Sequence, residues 1–254
     1  MGIEKTSAIV LSLIPFRESS SIAALLTRSL GRASAIAKGI RRSPRQTALT
    51  LERGLLAELV LYMKPNRDLH TIGQISVARY YPSIRSDLGK LALRDAAFEL
   101  ILKSVTVPET HIELFDFACE FLGCLEAIDS ATIPLHELWR FFLGWARHLG
   151  FMLNLRKCIQ CGSDAVAGEG GVLAIERGGF LCRACGGSMT APAFVPGPTV
   201  SFLAEGESGR DPRVEPLPPA AAMRLTRLFA DYCRFHLEIR TELKAIDFIE
   251  SLFF

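Results

Sequence analysis

Long apolar runs are missing from this chain of 254 residues, and none approaches the ~18 apolar residues of a membrane-spanning helix. The apolar stretch at residues 8–14 ends at Pro15, which makes it too short for the hydrophobic region of a secretory signal. Charged residues make up 22% of the chain, as in ordinary globular proteins. We therefore expect a globular, cytoplasmic protein with no membrane partner.

The motifs that mark common enzyme active sites are also missing. The sequence has no Walker A loop, no GxGxxG pattern, no HExxH motif and no GxSxG nucleophile elbow. Its five histidines are scattered, and lone histidines of this kind are more often surface or structural residues than catalysts. We therefore expect a binding or architectural protein and not an enzyme.

Positive charge is concentrated at one end of the chain. Residues 1–80 contain twelve Lys and Arg residues but only five Asp and Glu residues, which gives this segment a net charge of +7. The rest of the chain carries −5, which brings the whole chain to +2. This asymmetry favours a polyanion as the ligand of residues 1–80.

The cations of this basic module cluster in three consecutive connections between predicted strands. Two flank the turn near residue 30, four lie within residues 38–45, and two lie near residue 65. The candidate nucleic-acid contacts are Arg28, Arg32, Lys38, Arg41, Arg42, Arg45, Lys64 and Arg67. The alternative is that these are ordinary solubilising charges on solvated loops.

Aromatic side chains are scarce in the same module, which has Phe16, Tyr62 and Tyr80 but no Trp. Proteins that bind single strands through OB folds, small barrels that bind oligonucleotides, use aromatic stacking worth ~1–3 kcal/mol per base. Binding here should therefore be mainly electrostatic, tolerant of single and double strands, and steeply dependent on salt.

Five short apolar segments in residues 1–80 have the length and spacing of strands. They are residues 6–14, 22–27, 33–38, 55–62 and 69–77, and turn residues separate them. Strands this close leave no room for crossover helices, so the pattern favours a closed antiparallel barrel of the OB type. Leu and Ala are poor strand formers, however, and residues 55–61 are also compatible with a helix.

After Pro82, the spacing of apolar residues changes to the period of an α-helix. Apolar stripes predict helices near residues 88–101, 112–128 and 135–149, a short helix at 199–204, and a long one from about residue 218 that should pack on the first three. The sequence therefore predicts an α+β multidomain protein. Residues 1–80 form an OB-fold β-barrel domain, and residues 81–254 form an α-helical domain interrupted by a zinc module at 156–190.

Four of the seven cysteines form two CxxC pairs, with twenty residues between the pairs. Cys158, Cys161, Cys182 and Cys185 have the spacing of a structural zinc ribbon, in which four thiolates complete a closed tetrahedron. Residues 172–175 and 178–181 can pair as a hairpin between them. We expect one structural Zn²⁺ ion, held by knuckles whose following glycines, Gly162, Gly186 and Gly187, permit the positive φ that such knuckles often need.

Other interpretations of these cysteines remain open. The pairs could be redox-active, or the four could be unrelated core residues, but neither explains the glycines or the gap. A zinc deaminase would need a P-C-x-x-C motif, which is absent. Cys119, Cys124 and Cys233 lie in apolar helical stretches and are predicted to be buried.

Several short stretches along nearly the full chain follow one recognisable pattern. They are KTxAIVL from residue 5, RESSxI from 17, LTRxxGR from 26, AxAKGxRR from 35, LGF from 149, LRKCxxCG from 155 and HLxxRxxLK from 236. Together with the ribbon spacing, they make the chain similar to the RecO family of bacterial recombination mediators.

The resemblance implies an OB-fold N-terminal domain, a helical domain with the zinc module, and no enzymatic turnover. It also implies binding and annealing of single- and double-stranded DNA at the nucleoid. The implied partners are RecR, the acidic tail of single-stranded DNA-binding protein and, functionally, RecA. By matching position, the resemblance implies DNA contacts at Arg28, Arg32, Lys38, Arg41 and Arg42. Arg45, Lys64 and Arg67 are proposed as DNA contacts on charge alone.

An acidic tail that ends in an aromatic residue needs an apolar groove edged by arginine, and Arg140 with Arg147 could provide that edge. They could equally be solvated helix residues. Two other functions also remain open. One is a zinc-ribbon scaffold protein that binds nucleic acid incidentally, and the other is a metal-dependent hydrolase or deaminase that uses the cysteines.

Overall fold

The chain folds into two compact units in the computed structural model. The described residues are 2–38, 51–64, 67–105, 112–129, 133–164, 168–187, 193–205 and 217–253. The first unit comprises Met1–Arg94 and Ile101–Asp129, and the second comprises Asp95–Leu100 and Ser130–Phe254. Strands come first and helices follow, so the predicted α+β class is confirmed. No helix among the described residues is both long and apolar enough to span a bilayer.

The first unit contains a closed five-stranded barrel. Its strands are β1 (Gly2–Phe16), β2 (Ser20–Thr27), β3 (Gly31–Ala37), β4 (Leu56–Met63) and β5 (Leu69–Arg79). Their order is β1-β2-β3-β5-β4, and β4 pairs with β1 to close the barrel. Every neighbouring pair is antiparallel except β3 and β5, which run parallel. Each strand overlaps one of the five segments that the apolar pattern predicts.

Alternating burial determines which side chains fill the barrel. In β4, Ala57, Leu59 and Leu61 are almost completely buried, whereas Glu58 between them is exposed. This period of two places one face of β4 in the core and the other in solvent. The segment is therefore a strand although Leu and Ala are poor strand formers, and the helical alternative for it is wrong.

Three described helices complete the first unit, and part-buried polar contacts join them. They are α1 (Pro82–Ser86), α2 (Leu88–Ser104), which contributes residues to both units, and α3 (Ile112–Ala127). The Glu126 carboxylate accepts hydrogen bonds from the backbone N–H groups of Ser83 and Ile84, both at 2.9 Å. The buried Lys90 ammonium donates to the Ser83 hydroxyl at 2.6 Å and to the Ile128 carbonyl. These contacts tie α1 to both longer helices.

The second unit has five helices whose residues the structure describes throughout, together with a four-stranded sheet. The helices are α4 (Leu135–His148), α5 (Arg183–Gly186), α6 (Gly197–Glu205), α7 (Pro219–His236) and α8 (Lys244–Ser251). The strands are β6 (Asn154–Cys158), β7 (Gly170–Ala174), β8 (Gly179–Leu181) and β9 (Phe194–Pro196), in the order β6-β8-β7-β9. Within this unit α7 packs on α4, one of the three helices on which this long helix was expected to pack.

Aromatic packing holds α4 and α7 together. The rings of Trp139 and Phe229 lie 5.9 Å apart, and the Trp139 indole N–H donates to the Thr226 hydroxyl at 2.8 Å. That hydroxyl donates in turn to the Ala222 carbonyl at 2.9 Å, so the buried polar atoms are paired. Of the three cysteines predicted to be buried, Cys233 is inaccessible in this core, whereas Cys119 and Cys124 are only half-buried.

Candidate metal centre and nucleic-acid interface

The four cysteines of the two CxxC pairs meet at one point in the second unit. Their sulfur atoms all lie within 4.8 Å of one another, and the Cys161 and Cys182 sulfurs are 3.7 Å apart. A tetrahedral site with Zn–S bonds of about 2.3 Å has sulfur atoms about 3.8 Å apart, so the cluster has the required size. The predicted set of four ligands can therefore hold one metal ion such as zinc.

The ribbon that carries these cysteines is built from the predicted hairpin. Strands β7 and β8 pair antiparallel, with Leu173 opposite Phe180, and β6 pairs parallel with β8. Cys158 ends β6 and Cys161 lies in the turn that follows. Cys182 follows β8 directly, and Cys185 lies in α5. The hairpin thus brings the second CxxC pair next to the first.

The glycines around the cysteines serve two different purposes. Gly162 and Gly187 have φ of 74° and 83°, the left-handed backbone predicted for zinc knuckles. Gly186 lies in α5 and does not use the positive φ that glycine permits. A Cβ there would lie 2.9 Å from the Leu181 Cβ and 3.1 Å from the Val172 Cβ. Close packing of α5 on the hairpin therefore requires glycine at this position.

The thiols of the cluster differ in their ease of ionisation. Burial raises the pKa of Cys158, but hydrogen bonds from the backbone of three residues, Cys182, Cys161 and Gln160, outweigh it and lower the pKa to about 6. Hydrogen bonding to the Cys161 thiol, followed by burial, raises the pKa of Cys185 to about 12. Four thiolates at these distances repel one another, so full ionisation requires a cation in their centre.

The ribbon is joined to α7 through His236. The Nε2 atom of His236 lies 2.7 Å from the carbonyl oxygen of Ile175, in the 3-10 helix Ile175–Arg177 between β7 and β8. The His236 ring also packs against three aromatic rings. The distance between ring centres is 4.5 Å to Tyr232, 5.1 Å to Phe235 and 5.6 Å to Phe151. These contacts connect the folded ribbon to the C-terminal end of α7.

A wide cationic groove lies on the barrel in the first unit. It has a volume of about 840 Å³ and is bounded by the β1–β2 turn, the end of β3 and the β4–β5 connection. Three of the candidate nucleic-acid contacts, Lys38, Lys64 and Arg67, line it together. Arg17 is the fourth cation of the lining, and Glu18 is its only carboxylate among the described residues. We call this feature the barrel groove.

Two residues of the barrel groove, Phe16 and Arg17, are not among the predicted nucleic-acid contacts. Arg17 has a φ of 56°, and its guanidinium carbon lies 5.3 Å from the centre of the half-buried Phe16 ring. Both belong to the end of β1 and the turn after it. Arg17 begins the RESSxI stretch that the family resemblance includes. It lies outside the clusters of cations in the sequence, so charge alone does not distinguish it from other Lys and Arg residues.

Two of the candidate contacts, Arg28 and Arg32, lie outside the barrel groove and contact the helices of their own unit. The half-buried Arg32 donates from Nη1 to the carbonyl oxygens of Leu102 and Val105, at 2.6 and 2.7 Å. These carbonyls lie at the end of α2, where a cation is favourable. Arg28 forms an exposed ion pair with Asp116 at 3.2 Å.

The other three candidate contacts, Arg41, Arg42 and Arg45, lie outside the described residues. The candidate tail contacts, Arg140 and Arg147, both lie on α4 of the second unit. Arg140 lies 3.5 Å from a Glu137 carboxylate oxygen, and its guanidinium carbon lies 5.9 Å from the centre of the Phe202 ring. Arg147 is exposed in the last turn of α4.

Two protein-family models match consecutive parts of the chain. The model described as recombination protein O N terminal matches residues 1–81. The model described as recombination protein O C terminal matches residues 85–245. The second match covers more than half of the chain, and the two together cover almost all of it.

Curated relatives match over similar lengths. The DNA repair protein RecO of Anaeromyxobacter dehalogenans (strain 2CP-C) is 32% identical over 237 residues, which cover 92% of this chain and 91% of the relative. The protein of the same name from Pelodictyon phaeoclathratiforme is 26% identical over 262 residues, with 98% of each chain covered. Both alignments thus cover at least nine-tenths of each of the two chains compared.

Proposed function

Because the chain belongs to the recombination protein O family, we propose that it is a recombination mediator that acts through the barrel groove. A role in recombinational DNA repair follows from the family. In the proposed mechanism the protein binds single- and double-stranded DNA and anneals complementary strands. With RecR, it helps to load RecA on DNA coated by single-stranded DNA-binding protein. It does this by binding and without catalytic turnover.

The observation that carries this proposal is the convergence of four cations in the barrel groove. A closed five-stranded barrel with this strand order fits the OB fold, which binds oligonucleotides through the β1–β2 and β4–β5 loops. The barrel groove lies between these two loops. Exposed Lys and Arg side chains there can neutralise phosphates without reading base sequence. Arg41, Arg42 and Arg45, which lie outside the described residues, stay candidate DNA contacts on the grounds of sequence.

Annealing needs two phosphate backbones to approach each other, and charge neutralisation makes this possible. A surface that binds backbones without stacking every base leaves base edges free to pair. The module has few aromatic residues, which agrees with this mode of binding. The process requires no proton transfer and no covalent intermediate.

In the proposed function the metal is one structural zinc ion, held by the four cysteines. Four sulfur ligands fill the coordination shell and leave no position for a reacting water molecule. The ion stiffens the ribbon and, through His236, supports α7. The acidic tail of single-stranded DNA-binding protein is assigned to the face of α4 with Arg140 and Arg147, where Phe202 supplies an aromatic ring beside a cation.

Charge reversal in the barrel groove tests the proposed function. We expect the triple variant Lys38→Glu, Lys64→Glu, Arg67→Glu to bind and anneal oligonucleotides much more weakly than the original chain. The slope of log affinity against log salt on single strands should fall by about 2, because each phosphate contact contributes about 0.7. The measurement is annealing of complementary strands precoated with single-stranded DNA-binding protein, across a salt titration.

A matched control distinguishes the effect of charge in the barrel groove from the effect of the net charge of the whole chain. The triple variant Arg177→Glu, Arg240→Glu, Lys244→Glu makes the same change in charge at exposed positions of the second unit. It should anneal strands normally. Equal annealing by both triple variants and the original chain would favour the zinc-ribbon scaffold protein. Nuclease or deaminase turnover that Cys182→Ser abolishes would favour the metal-dependent enzyme.

A further inference from the structure

The β1–β2 turn keeps a large cationic residue in a backbone conformation that suits glycine. Only two described residues other than glycine have positive φ, Arg17 at 56° and Glu238 at 53°. The left-handed conformation is unfavourable for a residue with a Cβ, and glycine or asparagine adopts it more readily. Stability of the turn alone therefore does not explain arginine at position 17. Non-glycine residues in such conformations cluster at functional sites.

The surroundings of Arg17 indicate what its side chain does. Its guanidinium lies 5.3 Å from the centre of the Phe16 ring, and both residues line the barrel groove. Arg17 is exposed and Phe16 is half-buried, so the pair presents a planar cation that lies over an aromatic ring at the groove wall. Nucleic-acid bases stack on aromatic rings and on guanidinium planes.

We infer that Phe16 and Arg17 form a stacking contact for an unpaired base and thereby make the barrel groove favour single-stranded over double-stranded DNA. The inference rests on the proposed function, since it assumes that DNA occupies the groove. Only a single strand can offer the face of a base, because duplex bases are covered by their neighbours. Phosphates are present in both forms, so Lys38, Lys64 and Arg67 contribute to the binding of both.

Two substitutions remove the stacking contact in different ways. Phe16→Leu removes the ring and keeps an apolar side chain, whereas Arg17→Gly removes the guanidinium and suits the positive φ. We expect each to weaken binding of a single-stranded oligonucleotide by at least about fivefold. Duplex affinity should change much less, so the ratio of the two affinities falls. The measurement is fluorescence anisotropy with the full chain at one fixed salt concentration.

The matched control is Glu238→Gly, which suits the other positive φ in the second unit. Neither glycine variant should lower the thermal midpoint of unfolding, and Glu238→Gly should leave both DNA affinities unchanged. Arg17→Lys, which keeps the charge but not the plane, should lose part of the single-strand preference.

The outcomes separate this inference from the proposed function. Unchanged affinity ratios in Phe16→Leu and Arg17→Gly, together with weak binding by the Lys38, Lys64 and Arg67 triple variant, overturn the stacking contact alone. Normal binding by that triple variant overturns the proposed function itself. An equal loss of single- and double-strand affinity in Arg17→Gly also overturns the inference, because it identifies Arg17 as a phosphate contact.

Discussion

At the scale of single residues, two arginines with the same predicted role have different surroundings. Arg32 is half-buried and donates to two carbonyl oxygens, whereas Arg28 is paired with Asp116 in solvent. We expect Arg32→Ala to lower the free energy of unfolding by about 1–3 kcal/mol, because charged hydrogen bonds are lost and the carbonyls lose their donor. Arg28→Ala should cost at most about 1 kcal/mol, as exposed ion pairs do.

Denaturant unfolding monitored by circular dichroism measures both variants. Arg28→Ala is the control, since it removes the same side chain from a site in the same unit. Similar small losses in the two variants would contradict the structural role of Arg32. A large loss of DNA affinity in a fully folded Arg32→Ala protein would instead identify it as a DNA contact.

Individual ligands were easier to predict from the sequence than individual cations. The spacing of Cys158, Cys161, Cys182 and Cys185 indicates metal binding, because two CxxC turns brought together supply the four sulfur ligands of a tetrahedral site. A cation can contact a phosphate, a carboxylate or a carbonyl, and distant parts of the chain decide which. The acceptors of Arg32 lie about 70 residues away in sequence, at Leu102 and Val105. No local pattern could reveal them.

At the scale of elements, period predicts the long strands and helices and also the short helix α6, but it misses other short helices. The five barrel strands and helices α2, α3, α4 and α7 overlap the predicted segments because each has a full apolar face. Helices α1 and α8 have five and eight residues, too few for a clear stripe, and were not predicted. Carboxylates from other elements position them, Glu126 at α1 and Glu99 at α8.

The ribbon is the element whose stability depends on the metal. Zinc binding in small modules is worth about 10–16 kcal/mol, and this glycine-rich hairpin has few large apolar residues of its own. We expect Cys182→Ser, or chelation of the metal, to unfold β6–β9 locally and to increase amide hydrogen exchange there. Exchange should also increase at the end of α7, where His236 contacts the Ile175 carbonyl. The barrel should keep its protection and its DNA affinity.

Cys119→Ser is the matched control for this loss, because Cys119 lies outside the four-cysteine cluster. It should retain the metal, as native mass spectrometry would measure. A fall in DNA affinity that parallels metal loss would contradict the separation of roles and would place the ribbon at the DNA.

At the scale of the whole molecule, charge and apolar period both set residues 1–80 apart, whereas the first compact unit includes helices beyond them. The net charge of +7 on residues 1–80 directed attention to the barrel, where the groove lies. The change in apolar period near residue 81 suggested a boundary there. The first compact unit extends further, to Arg94, and then includes Ile101–Asp129. The period of the apolar residues reports local conformation, whereas the extent of a compact unit depends on contacts between segments that are distant in sequence.

These contacts lead to a prediction about fragments of the chain. A fragment of residues 1–80 lacks the Leu102 and Val105 carbonyls that Arg32 contacts and the Asp116 carboxylate that Arg28 contacts. A fragment of residues 1–129 retains all of them together with α1 and α3. We therefore expect the longer fragment to unfold cooperatively at a clearly higher temperature than the shorter one, measured by circular dichroism. Equal midpoints would mean that the barrel is stable without the helices, because closure alone would then satisfy its strand edges.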